Sequence, residues 1–312
     1  MYHCQKSINT MGKNLINSFP SSKLIFQYSR RKINNINIPF NQRKEFFNTS
    51  SLRQNVNLNN MVAKIVVRPS KERGYANHGW LDTHHTFSFA DYYDPNYKSF
   101  GALRVINEDI VQPNNGFGTH PHRGYEIFSY IISGELQHKD SMGNVEILKR
   151  GDVQFTTAGT GISHSEYNIN KIHPVHFLQI WVSPDDKNLT PAYNTKTYPD
   201  SLKTNNLTHI ISPASEQDSK TIGIHTDFHM FASILQPENK VAHTVQGSLG
   251  GGDKTRRLYV HLTSTGGQLK VNDGTILKPG DGAFITEVVS GEEVIFESTG
   301  EEVAEFVLFD LA

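Results

Sequence analysis

The feature that most constrains this chain is how its apolar residues are parcelled out. They come in short runs at regular intervals: Leu103-Arg-Val-Ile106, Tyr125 to Ser133, Leu136-Gln-His138, Val145-Glu-Ile-Leu148, Val153-Gln-Phe155 and His176-Phe-Leu-Gln-Ile-Trp-Val182. Gly, Asp, Asn or Pro stands between them, and Lys64-Ile-Val-Val-Arg68 is an earlier run ended by Pro69. Short strand-like runs separated by turn residues predict an all-β sandwich or barrel and argue against βαβ units. The polar stretch Ser183-Pro-Asp-Asp-Lys-Asn-Leu-Thr-Pro191 reads as an exit from a first domain over residues 62–190. A linker over 191–205 and a second β-rich domain over 206–312 are then expected, which suits the length of the chain.

The two blocks echo each other. Leu148-Lys-Arg-Gly-Asp-Val-Gln-Phe155 resembles Leu277-Lys-Pro-Gly-Asp-Gly-Ala-Phe284, and Gly134-Glu-Leu-Gln137 resembles Gly267-Gln-Leu-Lys270. One Gly-Asp turn means little, but two matches in the same order predict a duplicated β-domain. The register of the first match carries His120 and His122 onto Leu249 and Gly251, and His164 and Glu166 onto Glu293 and Ile295.

Composition excludes several functions. The formal net charge is -1, so no global electrostatic case for nucleic acid exists. A single Cys4 excludes a disulfide framework and a cysteine-based zinc site. No apolar run approaches the ~18–20 residues of a membrane-spanning helix, and the body reads as soluble and intracellular. Charge is nevertheless uneven. Residues 1–60 hold nine Lys/Arg and one acidic residue, Glu45, in an Asn- and Ser-rich context, while the rest holds 21 basic and 30 acidic groups. Residues 1–61 therefore read either as an organellar targeting segment or as a disordered extension. Met61 also offers an alternative start. Cytoplasm or nucleus is the expected compartment, with the mitochondrion if the extension is a targeting segment.

The chemistry sits in two short pieces, His120-Pro-His122 and His164-Ser-Glu166. On a strand, residues i and i+2 point to one face. If the two strands are neighbours, three imidazoles and a carboxylate converge. Three nitrogens and one oxygen suit a divalent transition metal: Fe, Mn, Ni, Cu or Zn. Pro121 cannot donate to a ladder, which places the first pair at a strand start or edge, where a site can stay open to substrate. Gly159 and Gly161 allow the chain to turn sharply before the second pair. The 41 residues between His122 and His164 leave room for two hairpins. The second block has no His-x-His, so one metal site is expected, not two.

His120-x-His122, Glu126 and Gly134 match the first motif of the cupin superfamily, and residues 151–168 resemble the second. Glu126 shares the parity of the two histidines, and in many cupins the equivalent Glu is a ligand. Here Glu166 is the better-placed carboxylate, which leaves Glu126 as an acceptor that orients a histidine. More specifically, His120-Pro-His-Arg-Gly-Tyr-Glu126 and Thr157-Ala-Gly-Thr-Gly-Ile-Ser-His-Ser-Glu-Tyr-Asn168 resemble the pirin family. Residues 73–95 and Leu103-Arg-Val-Ile-Asn107 are similar to bacterial pirin-like quercetin 2,3-dioxygenases. The resemblance covers about residues 62–312.

The resemblance implies a bicupin: two face-to-face β-barrels of the double-stranded β-helix type. The metal, most commonly Fe(II), would lie in the first barrel on His120, His122, His164 and Glu166. It implies a dioxygenase that takes a flavonol-like aromatic substrate and O2 and releases CO, with Glu166, or Glu126 beside it, as proton acceptor. Some family members resemble redox-sensitive nuclear transcription cofactors, so a metal-binding regulator with protein partners is the alternative reading. Neither reading needs direct contact with nucleic acid or membrane. His84 and His85 read as part of a packed aromatic turn.

Overall fold

The computed structural model describes residues 63–251, 255–272 and 274–312. The extension over residues 1–61, with the targeting and disorder readings attached to it, lies outside them. Among the described residues the regular structure is strand, apart from the single helical turn Asp200–Lys203 and two short 3-10 turns. No described helix is long and apolar enough to cross a membrane.

The strands form two barrels of the same plan. In the first, a seven-stranded sheet runs, in spatial order, Ala192–Thr197, Asp152–Thr157, Glu126–Ser133, Val175–Val182, Leu103–Val111, Leu81–His85 and Gly74–Asn77. Its four-stranded partner runs Gly116–His122, Ile162–Tyr167, Glu135–Asp140 and Val145–Lys149. The second barrel repeats this with Lys64–Arg68, Gly282–Val289, Thr255–Leu262, Ala304–Leu311, Phe228–Leu235, Thr208–Pro213 and Ile222–Ile224. Its smaller sheet is Lys240–Thr244, Glu293–Ser298, Leu269–Val271 and Thr275–Leu277. This is the two-barrel fold the resemblance implied.

The echoed segments do the same local job in each copy. Asp152 accepts the Lys149 backbone N–H at 2.7 Å, and Asp281 accepts that of Lys278 at 2.9 Å. Each Gly-Asp turn thus closes a strand connection through its own side chain. Gly134 and Gly267 both take positive φ, 82° and 74°, and a Cβ on either would strike a carbonyl oxygen, that of Pro174 or of Val303. Only glycine fits such an approach without strain.

The large sheets pack face to face. Phe128, Phe155, Leu178 and Ile180 of the first barrel and Phe228, Met230, Tyr259 and Phe309 of the second share one buried cluster. Glu126–Ser133 is consequently buried along all but its last residue. A strand covered on both faces needs an apolar run rather than an alternating one. Charge ties the barrels as well. Buried Glu108 accepts from Arg73 and His176 on its own side and from His261 and the Ser264 N–H of the second barrel. Burial alone would raise its pKa, but the two histidine hydrogen bonds and the Arg73 charge hold it well below the ordinary value.

Two expected boundaries are corrected. Lys64–Arg68 does not open the first barrel: it pairs antiparallel with Gly282–Thr286 and completes the large sheet of the second. Its half-buried Ile65 and Val67 pack on that barrel's core. Residues 191–205 are not a free linker either, because Ala192–Thr197 pairs with Asp152–Thr157. Each strand covers the same edge of its own barrel. The first barrel takes its closing strand from the chain that follows it, and the second takes one from the far end of the first. Residues 183–191 hold no strand, and the edge strand that follows them, Ala192-Tyr-Asn-Thr-Lys-Thr197, is mostly polar, as an edge strand tolerates, so the two together resemble a linker.

Candidate metal centre

The site grows from one strand pair. Gly116–His122 and Ile162–Tyr167 are antiparallel neighbours, with His120 opposite His164 and Pro121 opposite Ser163. The register shifts between His164 and Glu166, where an extra residue stands on the Gly118–Thr119 side. That irregularity folds the His120 ring back so that its Nδ1 lies 2.7 Å from Gly118 O. A carbonyl only accepts, so Nδ1 is the donor in this bond and Nε2 is the nitrogen left to face the other rings.

The rings of His120, His122 and His164 meet with centroids 4.6–4.7 Å apart, and one nitrogen from each lies within 4.8 Å of the others. Nε2 of His122 and both ring nitrogens of His164 are buried without a hydrogen-bond partner. Buried polar atoms are almost always satisfied, so three orphans in one place mark a cluster built for something else. Burial, reinforced by the other imidazoles, lowers the pKa of His122 and of His164 to about 3. Both rings are therefore neutral at pH 7, as metal ligation requires.

Glu166 Oε2 lies 4.0 Å from His164 Nε2. Its carboxylate is held from the barrel interior by Ser129 Oγ at 3.0 Å and Gln179 Nε2 at 2.9 Å. The donor set is thus three imidazoles with free lone pairs and one oriented carboxylate, and these residues fit a divalent transition metal.

Glu126 is placed differently. It is fully buried, but its oxygens accept from Thr157 Oγ1 at 3.0 Å and from the backbone N and Nδ1 of His225, at 2.9 and 2.7 Å. It secures a loop of the second barrel and orients none of the three clustered histidines. Strand parity was the source of the expectation, yet parity cannot tell which of two facing partners a carboxylate will find.

His138 is the residue that sequence reasoning missed. It is fully buried opposite Glu166 on the neighbouring strand, and with His164 and Glu166 it forms a second group of potential donors. Its signal was present in Leu136-Gln-His138-Lys-Asp140, a strand-like run with two metal-capable groups in alternation. His85 is buried against Phe89 and Tyr92 and bonded to Asn107, away from the cluster.

An aromatic wall flanks the histidines. Trp181 meets the His122 ring edge-on at 4.8 Å and touches Tyr125 and Phe89. Beside His122 a cleft of about 390 Å³ opens between Pro121, Arg123, Ser141 and Ile162.

The second barrel has no such centre among the described residues. The strand that matches Gly116–His122 in sheet order is Lys240–Thr244, which holds one histidine, His243. Leu249 and Gly251, expected from the sequence offset, fall instead in a 3-10 turn beyond it. Inside this barrel Asp310 binds His243 at 2.8 Å and the Arg256 guanidinium at 2.7 Å. A fixed guanidinium supplies the positive charge there.

A family model described as Pirin matches residues 66–182, and one described as Quercetinase C-terminal cupin domain matches residues 209–311. A quercetin 2,3-dioxygenase of Escherichia coli (strain K12) is 37% identical over 247 residues, covering 79% of this chain and 98% of the relative. A pirin-like protein of Caulobacter vibrioides is 37% identical over 245 residues, covering 78% and 98%. Among solved structures, bacterial pirin YhhW from Escherichia coli in complex with nickel(II) superposes with a TM-score of 0.68 at 35% identity, covering 80% of this chain and 99% of that one. With both barrels matched in order and the relatives covered almost end to end, this chain belongs to the pirin family.

Proposed function

We propose that this protein is a metal-dependent dioxygenase of the quercetinase type, with His120, His122, His164 and Glu166 holding one divalent ion. The observation that carries the proposal is the knot of unpartnered imidazole nitrogens beside an oriented carboxylate. It lies in a chain similar to proteins named quercetin 2,3-dioxygenase. Fe(II) is the preferred occupant. Nickel(II), bound by the similar YhhW, is the second, and Mn, Cu and Zn share the same ligand chemistry.

A bound ion supplies Lewis acidity that makes the 3-hydroxyl of a flavonol easier to deprotonate. Glu166 is the group placed to accept that proton, since Ser129 and Gln179 hold its carboxylate toward the histidines. His122 and His164 stay neutral, and one nitrogen from each of the three rings, His120 included, lies within reach of a common point. Trp181, Tyr125 and Phe89 give a flat ring system an apolar surface to lie against. The net reaction adds O2 to the flavonol, cleaves the heterocyclic ring and yields a depside and CO.

The test is anaerobic purification, metal analysis, and O2 uptake with CO detection against quercetin and related flavonols, in Fe(II) and Ni(II) arms. Stoichiometric metal with flavonol-dependent O2 uptake and CO release is expected, and His164→Ala should lose metal and activity while still folding. Metal-loaded protein that consumes no O2 with any flavonol, yet captures a protein partner only when loaded, would replace this proposal with the regulator reading.

A further inference from the structure

We infer that Trp181 determines substrate specificity at the metal centre. Its indole N–H donates to a ketone oxygen on the substrate, and the site thereby selects aromatic rings that carry a ketone beside the metal-binding hydroxyl. The inference rests on the proposed flavonol reaction and adds to it the group that reads the 4-carbonyl.

Trp181 is brought to the site by its strand. In Val175–Val182, residues Phe177, Gln179 and Trp181 share one face. Phe177 lies in an apolar cluster of the barrel, and Gln179 holds the Glu166 carboxylate. Trp181 then meets the His122 ring, with 4.8 Å between centroids and the planes at 87°. The pairing with Leu103–Val111 slips between Trp181 and Val182. A bulge of this kind re-aims a side chain, and bulges gather beside active sites.

The Nε1 atom of Trp181 is buried and has no hydrogen-bond partner among the described residues. Its neighbours do not supply one. Opposite it on the two adjacent strands stand Ile127 and Val105, both buried and apolar. The rings around it are those of His122, Tyr125 and Phe89, and none accepts from it. A buried tryptophan N–H usually finds a partner, because leaving one unpaired is costly. The aromatic wall is not sealed, however: Trp181, Tyr125 and Phe89 are each partly exposed. A donor left open on a wall that solvent reaches is satisfied by what binds there.

The second barrel supplies the contrast. The second-to-last residue of its matching strand, Ala304–Leu311, is Asp310. Its carboxylate is engaged by His243, Arg256 and the Gln246 N–H. The barrel without a histidine cluster thus satisfies its polar group at this place with its own residues. The barrel with the cluster leaves a donor open.

An indole N–H only donates, so its partner is an acceptor oxygen, and a ketone suits it. Because His122 stands beside Trp181, the oxygen it reads is the neighbour of the one held at the imidazole cluster. In a flavonol these are the 4-carbonyl and the 3-hydroxyl, on adjacent carbons. The N–H runs in the indole plane, so the bond is made past the ring edge and leaves the aromatic faces for apolar contact.

The experiment uses the full chain loaded with Zn(II), which is diamagnetic, and quercetin as probe in the absence of O2. The chain has two tryptophans, Trp80 and Trp181, so isotopic nitrogen labelling gives two indole N–H resonances, and Trp80→Phe identifies them. Quercetin should move the Trp181 proton downfield and slow its exchange with water. The Trp80 signal, from a ring packed on Phe117, should stay in place. Trp181→Phe keeps an aromatic ring and removes the donor. It should weaken quercetin binding, read by calorimetry, roughly 3- to 10-fold at unchanged Zn(II) content. A Trp181 signal that stays in place while quercetin binds overturns the inference and leaves the metal site standing. Wild-type quercetin affinity in folded Trp181→Phe does the same. The wild-type resonance decides the matter even if Trp181→Phe does not fold. Zn(II)-loaded protein that binds no quercetin defeats the flavonol reading, protein that takes up no Zn(II) defeats the metal site, and the inference falls with either.

Discussion

Two buried glutamates with similar sequence credentials have separate jobs, and the difference can be measured. Glu166 faces the imidazoles, and Glu126 faces the second barrel. Glu126→Ala leaves His225 without its acceptor and strands Thr157, so it should cost about 1.5–3 kcal/mol of stability by chemical denaturation. Metal stoichiometry should be unchanged. Glu166→Ala should lower metal affinity and abolish flavonol turnover. Metal loss in a well-folded Glu126→Ala would show that Glu126 belongs to the centre after all. The convergence of the two pairs was legible because the strand repeat of two is strict: His120 with His122, and His164 with Glu166, needed only the assumption that their strands are neighbours. The role of Glu126 was not legible, because His225 lies 99 positions away and no local pattern announces it. His138 escaped notice for a related reason. A lone histidine on a strand is common, and only the cross-strand pairing of Glu166 with His138 gives it meaning.

At the scale of elements, the closing strand Lys64–Arg68 carries the clearest prediction. It covers the edge strand Gly282–Val289 of the second barrel and seats Ile65 and Val67 on its core. Arg68 adds a bond from its guanidinium to Tyr92 OH at 2.8 Å and lies 3.6 Å over the Tyr97 ring. A chain beginning at Pro69 would expose a row of unpaired backbone groups and apolar side chains, a template for edge-to-edge pairing. It should melt several degrees lower than the full chain and self-associate with rising concentration in light scattering. A truncated protein that stays monodisperse with an unchanged melting temperature would mean the strand contributes little. The run Lys64-Ile-Val-Val-Arg68 was recognisable as a strand from its residues alone. Its partner was not, because pairing over more than 200 residues depends on the duplication, and the sequence echo stops short of this element. The Gly-Asp turns are the opposite case. Their Asp side chains bond within three residues, so both copies are visible in the chain itself.

Across the whole molecule, buried histidines make the metal-free protein sensitive to acid. His122 and His164 are lowered to about 3, by burial first and by neighbouring imidazoles second. His229 in the second barrel is lowered to about 4, by burial and then by His209. In the unfolded chain each would titrate near 6.5. As pH falls below that value the unfolded state takes up protons that the folded state refuses, so stability drops until the folded pKa is reached. Each group contributes a slope of at most about 1.4 kcal/mol per pH unit. Glu108 acts in a lower window. Its folded pKa lies well below the ordinary glutamate value of 4.5, so the stability it lends by joining the barrels is complete above that value and is lost as pH falls through the folded pKa. Denaturant midpoints of metal-free protein should therefore decline steadily from pH 7 to pH 4 and more steeply below about 4.5. His229→Phe should flatten the upper part of that decline without affecting Co(II) uptake, since His229 lies in the barrel that holds no three-donor group among the described residues. Loading with metal should raise stability by a similar increment at pH 7 and at pH 5, because folded His122 and His164 stay neutral down to about pH 3 and protons on the unfolded chain lower metal-free and metal-loaded stability alike. A flat pH profile in metal-free protein would mean that these imidazoles are not sequestered by the fold, and the argument for a preformed neutral ligand cluster would fall with it.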